Sequence, residues 1–266
     1  REMSNGPSPL ALVGLLPSAK RANGRRRPLW ALYFFMNRYS KIHDKRPREI
    51  VLLRGRGCAF TTCAFCDYHN DKSPDDNANF TLNAEVLSHV TGEFGEIEII
   101  NSGSVFELDD KTIDLIKEIC AKQGISTIHF EAHYGYRNDI PELRRKFDGF
   151  DLKMKLGLET FDADFRANVL KKFIDDTDPA VIAEQFDEAN FLFGITGQTV
   201  ESMKRDIELG LQNFDRICLN IMCPNSSAID PDDAVIEAFV REIYPIYQDN
   251  DRVDILLNNT DFGVGD

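Results

Sequence analysis

From residue 49 onward, short apolar runs alternate with stretches whose apolar positions recur at helical spacing, the pattern of strand–helix units built around a parallel sheet. Strands are predicted at 50–54, 96–101, 126–133, 152–159, 191–195, 216–222 and 253–258. Between them the pattern predicts helices at 82–91, 109–123, 141–147, 162–171, 179–189, 199–210 and 232–247. Asp109, Thr199 and Asp232 stand where helix caps belong, and Gly124 and Gly210 stand where helices would stop. The predicted fold class is α/β: a complete or partial (β/α) barrel with parallel strands.

Alternation within the strands adds a second expectation, because residues two apart on a strand share a face. In Ile128-His129-Phe130-Glu131-Ala132-His133 the apolar side chains take one face and His, Glu and His the other. Strand 152–159 sets Met154, Leu156 and Leu158 against Lys153, Lys155 and Glu159, and strand 216–222 sets Ile217, Leu219 and Ile221 against Arg216, Cys218, Asn220 and Met222. An ordinary (β/α)₈ barrel packs its interior with branched apolar side chains. With the apolar faces turned to the outer helices, this interior would be a polar, ligand-sized cavity. The alternative for any one such residue is a satisfied pair at a strand end.

Composition narrows the classes. The chain has 266 residues, 42% of them hydrophobic, enough for one large domain. No apolar run approaches the roughly 20 residues of a membrane-spanning helix, so no membrane partner is expected. The formal charge of −13 argues against a protein that holds long nucleic acid through its phosphates, and favours a small-molecule substrate. Residues 1–35 read differently: six basic residues stand against the single acid Glu2, and Met36 looks like a natural start. That segment is predicted to be a leader, with 36–266 as the catalytic domain. Three of the six cysteines fall within nine residues, which is not the spacing of a secreted disulfide scaffold and predicts a reducing, cytoplasmic setting.

Those three cysteines carry the sharpest signal. Arg54-Gly55-Arg56-Gly57-Cys58-Ala59-Phe60-Thr61-Thr62-Cys63-Ala64-Phe65-Cys66-Asp67-Tyr68-His69 directly follows the first predicted strand. Cys58, Cys63 and Cys66 on a glycine-led loop can converge on one soft metal centre. With His69 they also form a C-x4-C-x2-C-x2-H array able to close a structural zinc site, although a large barrel does not need such a staple. Cys120 reads as a small core residue, and Cys223, just past a strand and before Pro224, is as apt to face the site as not.

This loop, with Phe65 before the last cysteine, resembles the three-cysteine motif of the radical S-adenosylmethionine superfamily. It departs from it in having four residues between the first two cysteines where three is usual. Further segments are similar in the right order. Ile99-Ile100-Asn101-Ser102-Gly103-Ser104 stands where the family has a glycine–acid turn, Gly157-Leu158-Glu159-Thr160 matches a fourth-strand segment, and Phe193-Gly194-Ile195-Thr196-Gly197-Gln198-Thr199 matches a helix-opening turn. The resemblance implies a barrel of radical S-adenosylmethionine type and a four-iron–four-sulfur cluster on Cys58, Cys63 and Cys66. It implies S-adenosylmethionine held by Phe65, by Asn101, Ser102 and Gly103 at the methionyl amine, by Glu159 at the ribose or methionine moiety, and by Gly194 and Thr196 near the adenine. A reductant such as flavodoxin or ferredoxin would supply the electron.

Within the superfamily, the Cys-Ala-Phe-Cys-Asp-Tyr-His-Asn-Asp loop and the closing Asn258-Asn259-Thr260-Asp261-Phe262-Gly263 segment look most like the bacterial queuine lyases. That likeness implies release of queuine from queuosine or its 5′-phosphate, started by hydrogen abstraction from the ribose. His69, Glu131 and His133 are the candidates for the proton that must then move, and Tyr134, Arg137, Asn220, Asn258 and Asp261 for substrate contacts near C-terminal strand ends. Two other readings stay open: a radical enzyme acting on another nucleoside, amino acid or peptide, and a non-enzymatic Cys3His zinc scaffold.

Overall fold

The computed structural model describes residues 38–258, except for the side chain of His69. The predicted leader, 1–35, and Asp261 lie outside the described residues. Eight strands form one sheet in sequence order: β1 (Tyr39–Ile42), β2 (Arg48–Leu53), β3 (Glu96–Asn101), β4 (Thr127–Ala132), β5 (Asp151–Glu159), β6 (Glu188–Phe193), β7 (Arg216–Ile221) and β8 (Val253–Leu256). β2 to β8 are parallel, and β1 pairs with β2 antiparallel. The helices are α1 (Asp76–Leu87), α2 (Asp110–Gln123), α3 (Ile140–Lys146), α4 (Ala163–Asn168), α5 (Pro179–Ala183), α6 (Val200–Asn213), α7 (Asp233–Glu242) and α8 (Tyr244–Tyr247). β1 and β8 share no ladder, so the barrel is partial. The sheet nevertheless curls far enough for Arg48 of β2 to reach Asp254 of β8 at 3.3 Å. No described helix is long and apolar enough to cross a membrane.

The two faces of the sheet follow the alternation. Ile128, Phe130, Ala132, Met154, Leu156, Leu158, Ile217, Leu219 and Ile221 are buried in one apolar cluster with Ile113, Ile116 and Cys120 of α2, Met203 and Ile207 of α6, and Phe239 of α7. Asp109, Thr199 and Asp232 cap α2, α6 and α7 through their side chains, and Gly124 ends α2 at φ 70°.

The structure departs from expectation in five places. β1 was not predicted; it is a four-residue edge strand, too short for a periodic signal, tied to β2 by the Tyr39 hydroxyl donating to Glu49 at 2.6 Å. The helix expected at 82–91 starts at Asp76, capped by Asp75, because the inward residues of its first turns are Asn79 and Asn83. Both hydrogen-bond Arg54, so the buried face does not read as apolar. The helix expected at 179–189 stops at Ala183, and Glu188 opens β6. Gly210 lies inside α6, where a Cβ would come within 2.9 Å of the Phe191 ring: it marks close helix–sheet packing. The long helix at 232–247 divides at Ile243, since Pro245 lacks the N–H that continuing it would need.

The N-terminal end of the interior is closed by charge. Arg48 Nε lies 2.5 Å from Glu98, which also receives Lys155; Lys155 Nζ is 3.9 Å from Glu188. His129 bridges Glu188 and Glu96 at 3.2 and 2.8 Å, and Arg216 meets Asp254. Burial alone would raise both carboxyls, but Arg48 and Lys155 hold Glu98 well below the usual range, and His129 and Lys155 hold Glu188 down to about 2.

Glu98→Ala leaves Arg48 and Lys155 buried without their shared carboxylate and should lower unfolding free energy by about 3–5 kcal/mol in urea titrations. Because Glu188 is depressed in the folded state, its contribution is complete above its unfolded value and is lost as pH falls toward about 2. Urea stability of the wild type should therefore drop across this acid range more steeply than that of Glu188→Gln.

Candidate active site

At the C-terminal strand ends the interior opens into a cavity of about 290 Å³. Its mouth is formed by Cys58, Phe60, Cys63, Phe65 and Cys66, and its inner wall includes Glu98, Glu131, Lys155, Asn190, Cys218 and Asn220. Glu131 and Lys155 occupy paired positions of β4 and β5, and Asn190 and Cys218 paired positions of β6 and β7. The polar faces of the strands therefore converge on one space, of the size that takes a small ligand.

The cysteine loop between β2 and α1 is held from several sides. Ala64 N–H donates to Leu170 O at 2.8 Å, and Asn225 Nδ2 donates to Phe65 O at 2.9 Å. Glu107 is the central tie: one oxygen accepts from Ala59 N–H at 2.7 Å and from the Tyr136 hydroxyl at 3.1 Å, the other from Ser104 N–H. Burial raises the Glu107 pKa. A Cβ on Gly103 would lie 2.1 Å from the Glu107 carboxylate and 3.0 Å from Cys58 N, so this turn needs bare backbone to pack against the loop.

Cys58, Cys63 and Cys66 are free, half-buried thiols, and burial pushes Cys66 up to about 12. Among the described residues no three His, Cys, Asp or Glu side chains converge as a single-ion site requires. Three separate soft donors around one cavity mouth, with the Lys172 ammonium beside them, suit a larger anionic sulfur-ligated group.

Beside the mouth, Glu159 sits at the end of β5 with φ 70°, where the register to β6 shifts, and pairs with Lys172 at 2.8 Å. A left-handed conformation is strained for a non-glycine residue and persists only where the surrounding contacts hold it, here the Lys172 pair. Gly157 leaves room for this pair, since a Cβ there would approach Lys172 Nζ to 2.8 Å and Glu159 Oε1 to 3.1 Å. Asn101 donates to Ser104 O at 2.9 Å while its Oδ1 is buried without a hydrogen-bond partner, an acceptor suited to an ammonium donor. Ser102 spends its hydroxyl on Asp71 at 2.9 Å.

His133 stacks on Phe60, with ring centroids 3.8 Å apart, and its Nδ1 accepts from Gly135 N–H at 3.0 Å, which leaves the ring proton on Nε2. Burial and the nearby Lys172 push its pKa down to about 3, so the ring is neutral. Glu131 accepts from Asn190 Nδ2 at 2.9 Å, and burial raises its pKa.

The structure thus brings Cys58, Cys63, Cys66, Phe65, Asn101, Ser102, Gly103, Glu131, His133, Glu159 and Asn220 to one cavity. Others stand apart. The Tyr134 hydroxyl is spent on Asp176 at 2.6 Å, and Arg137 stacks on the Tyr134 ring 4.3 Å from its centroid; neither lines the cavity. Gly194 turns against Ile236, and Thr196 donates to Asp232 at 2.7 Å, both outside the lining. Asn258 is exposed just beyond β8. Sequence reasoning missed Asn190, Lys172 and Glu107. Asn190 was hidden by the misplaced helix end, while Lys172 and Glu107 lie in irregular segments without periodicity.

No protein-family model and no curated protein sequence matches the chain. A solved structure, queuine lyase from Clostridium spiroforme bound to SAM and queuine, matches with 43% identity and a TM-score of 0.83, covering 87% of this chain and 100% of that one. The chain belongs to the queuine lyase family. Methylornithine synthase also aligns, at 14% identity and a TM-score of 0.49 over 79% of this chain. As a member of the queuine lyase family, this chain is a radical S-adenosylmethionine enzyme, and its partial barrel with a cysteine loop at the C-terminal rim is the scaffold of that chemistry.

Gly103→Ala should displace the Glu107 carboxylate and loosen the cysteine loop. Iron and sulfide content after anaerobic reconstitution is expected to fall several-fold below wild type, with the far-ultraviolet circular dichroism unchanged.

Proposed function

We propose that this chain releases queuine from queuosine or its 5′-phosphate, using a four-iron–four-sulfur cluster on Cys58, Cys63 and Cys66 and S-adenosylmethionine bound beside it. The observation that supports this reading most is the polar cavity directly beneath the cysteine loop, in a chain that matches a queuine lyase solved with SAM and queuine over that protein's full length. The cluster, when bound, supplies the single electron that opens the sulfonium to a 5′-deoxyadenosyl radical.

The chain's own residues then have separable tasks. Asn101 Oδ1, the backbone at Ser102 and Gly103, and Glu159 with Lys172 form a polar rim able to take the amino, carboxylate and ribose groups of S-adenosylmethionine. Phe65 and Phe60 cover the loop side of the cavity and limit water, which a carbon radical requires. The substrate sugar lies next to this rim and its base lies deeper. Among the described side chains expected to handle the proton, Glu131 lines the inner wall of the cavity and His133 its mouth, while the His69 side chain lies outside the described residues. A one-electron donor such as flavodoxin or ferredoxin approaches at the exposed Thr61 and Thr62.

Anaerobic reconstitution should give about four irons per chain. A single-turnover assay with queuosine should form 5′-deoxyadenosine and queuine together, and cleavage without queuine release would discard the substrate. Glu159→Gln should weaken S-adenosylmethionine binding by about ten- to a hundredfold, the cost of losing a charge-assisted hydrogen bond and leaving Lys172 unpaired. Stoichiometric zinc with no cleavage in the wild type would instead establish a scaffold.

A further inference from the structure

The inner wall of the cavity holds two kinds of charged side chain. Lys155 is committed to Glu98 and Glu188, and Glu98 to Lys155 and Arg48, so each of these charges has its counter-charge inside the protein. Glu131 differs. It makes no ion pair among the described residues, and its one hydrogen bond is from Asn190 Nδ2 to Oε1 at 2.9 Å. An ionised carboxylate offers about four acceptor positions. The rest of this one's acceptor capacity is turned to the cavity, in a setting where unused acceptors are costly. Neighbouring Asn220, one strand beyond Asn190, also lines the cavity, and its amide touches only the Cys218 thiol, at 3.9 Å. The inner wall therefore presents a carboxylate oxygen, and the NH2 of an amide whose oxygen meets only a thiol, that no described residue engages.

The ligand that fits follows from the direction in which it must enter, given the queuine-releasing reading on which this step rests. The reacting end of the cavity is the sulfur-lined mouth, so the ribose and the bond to the base lie there. The base then points inward, leading with the ring edge opposite its glycosidic nitrogen. In a deazaguanine that edge carries a ring N–H and an exocyclic amino N–H side by side, with a carbonyl next to them. Two adjacent donors match the two-oxygen geometry of a carboxylate, and the carbonyl matches an amide N–H.

We propose that Glu131, held in place by Asn190, selects guanine-type bases by accepting the ring and exocyclic N–H groups of that edge, with Asn220 donating to the carbonyl. The bond from Asn190 orients the carboxylate before the ligand arrives. Burial, which raises the Glu131 pKa, penalises the site when the donors are missing. A hypoxanthine-type base keeps the ring N–H and the carbonyl but lacks the amine, and leaves one oxygen unpaired. Discrimination by such a bidentate contact amounts to about ten- to a hundredfold. Proton delivery to the nitrogen that leaves the ribose, at the opposite end of the base, then falls to the mouth, where His133 stands.

The test is anaerobic equilibrium binding of queuine, 7-deazaguanine and 7-deazahypoxanthine to reconstituted enzyme with S-adenosylmethionine present. Wild type should bind 7-deazaguanine about ten- to a hundredfold more tightly than 7-deazahypoxanthine. Glu131→Gln should erase that preference while S-adenosylmethionine binding is retained. Glu131→Asp, which keeps the charge but draws it back, should reduce the preference partway and covers the case in which the first variant fails to fold. Equal binding of the two bases by wild type, or an undiminished preference in either variant, overturns the proposal and leaves queuine release standing. Failure of wild type to bind both queuine and 7-deazaguanine overturns the queuine reading and this proposal with it.

Discussion

Lys155 and Glu98 meet inside the half-barrel, where neither has bulk water, and the usefulness of the interior depends on that meeting. A ligand cavity in the middle of a sheet needs polar walls, and polar walls with charge are tolerable only where the charges are matched. The layer formed by Arg48, Glu98, Lys155, Glu188 and His129 provides the match and closes the N-terminal end of the interior. Arg48 also reaches Asp254, so the same layer draws the last strand toward β2 and sets the curl of the sheet. Above this layer the strands are free to present groups that face a ligand.

At the other end the organising contact is Glu107. Its carboxylate gathers the backbone N–H groups of Ala59 and Ser104 and the Tyr136 hydroxyl, tying the cysteine loop, the turn after β3 and the segment after β4 to one point. The three loops that surround the mouth are thereby joined at one carboxylate, and Gly103 lets the turn come close enough for the tie to form. Glu159, in its left-handed conformation and paired with Lys172, completes the rim from β5. The cavity is bounded by an ion-paired floor and a hydrogen-bonded rim, the kind of supporting contacts that preorganised binding requires.

Much of this was legible in the residues, for identifiable reasons. Alternation in β4, β5 and β7 has a period of two and survives any tertiary context, so the apolar faces toward the helices and the polar interior could be read directly. The cysteine spacing, with segments such as Gly157 to Thr160 in the right order, pointed to the radical S-adenosylmethionine superfamily, and the match to a queuine lyase bears that family out. Where a helix buries a polar face, as α1 does with Asn79 and Asn83, the hydrophobic pattern misplaces the start. Where a charged residue belongs to a buried network, as Glu188 does, the strand it opens reads as the end of a helix.

What the sequence determined by itself was local: which faces are apolar, where caps stand, and which thiols share a loop, because these depend on neighbours a few positions away. Tertiary structure alone decided which polar residues meet. It placed Lys172 beside Glu159, Glu107 under the cysteine loop and Asn190 against Glu131, and it turned Tyr134 and Arg137 away from the cavity, onto Asp176 and each other. The physical reason is range: a hydrogen bond across a curled sheet joins residues tens of positions apart, and no local period in the chain records which of them the curl will bring together.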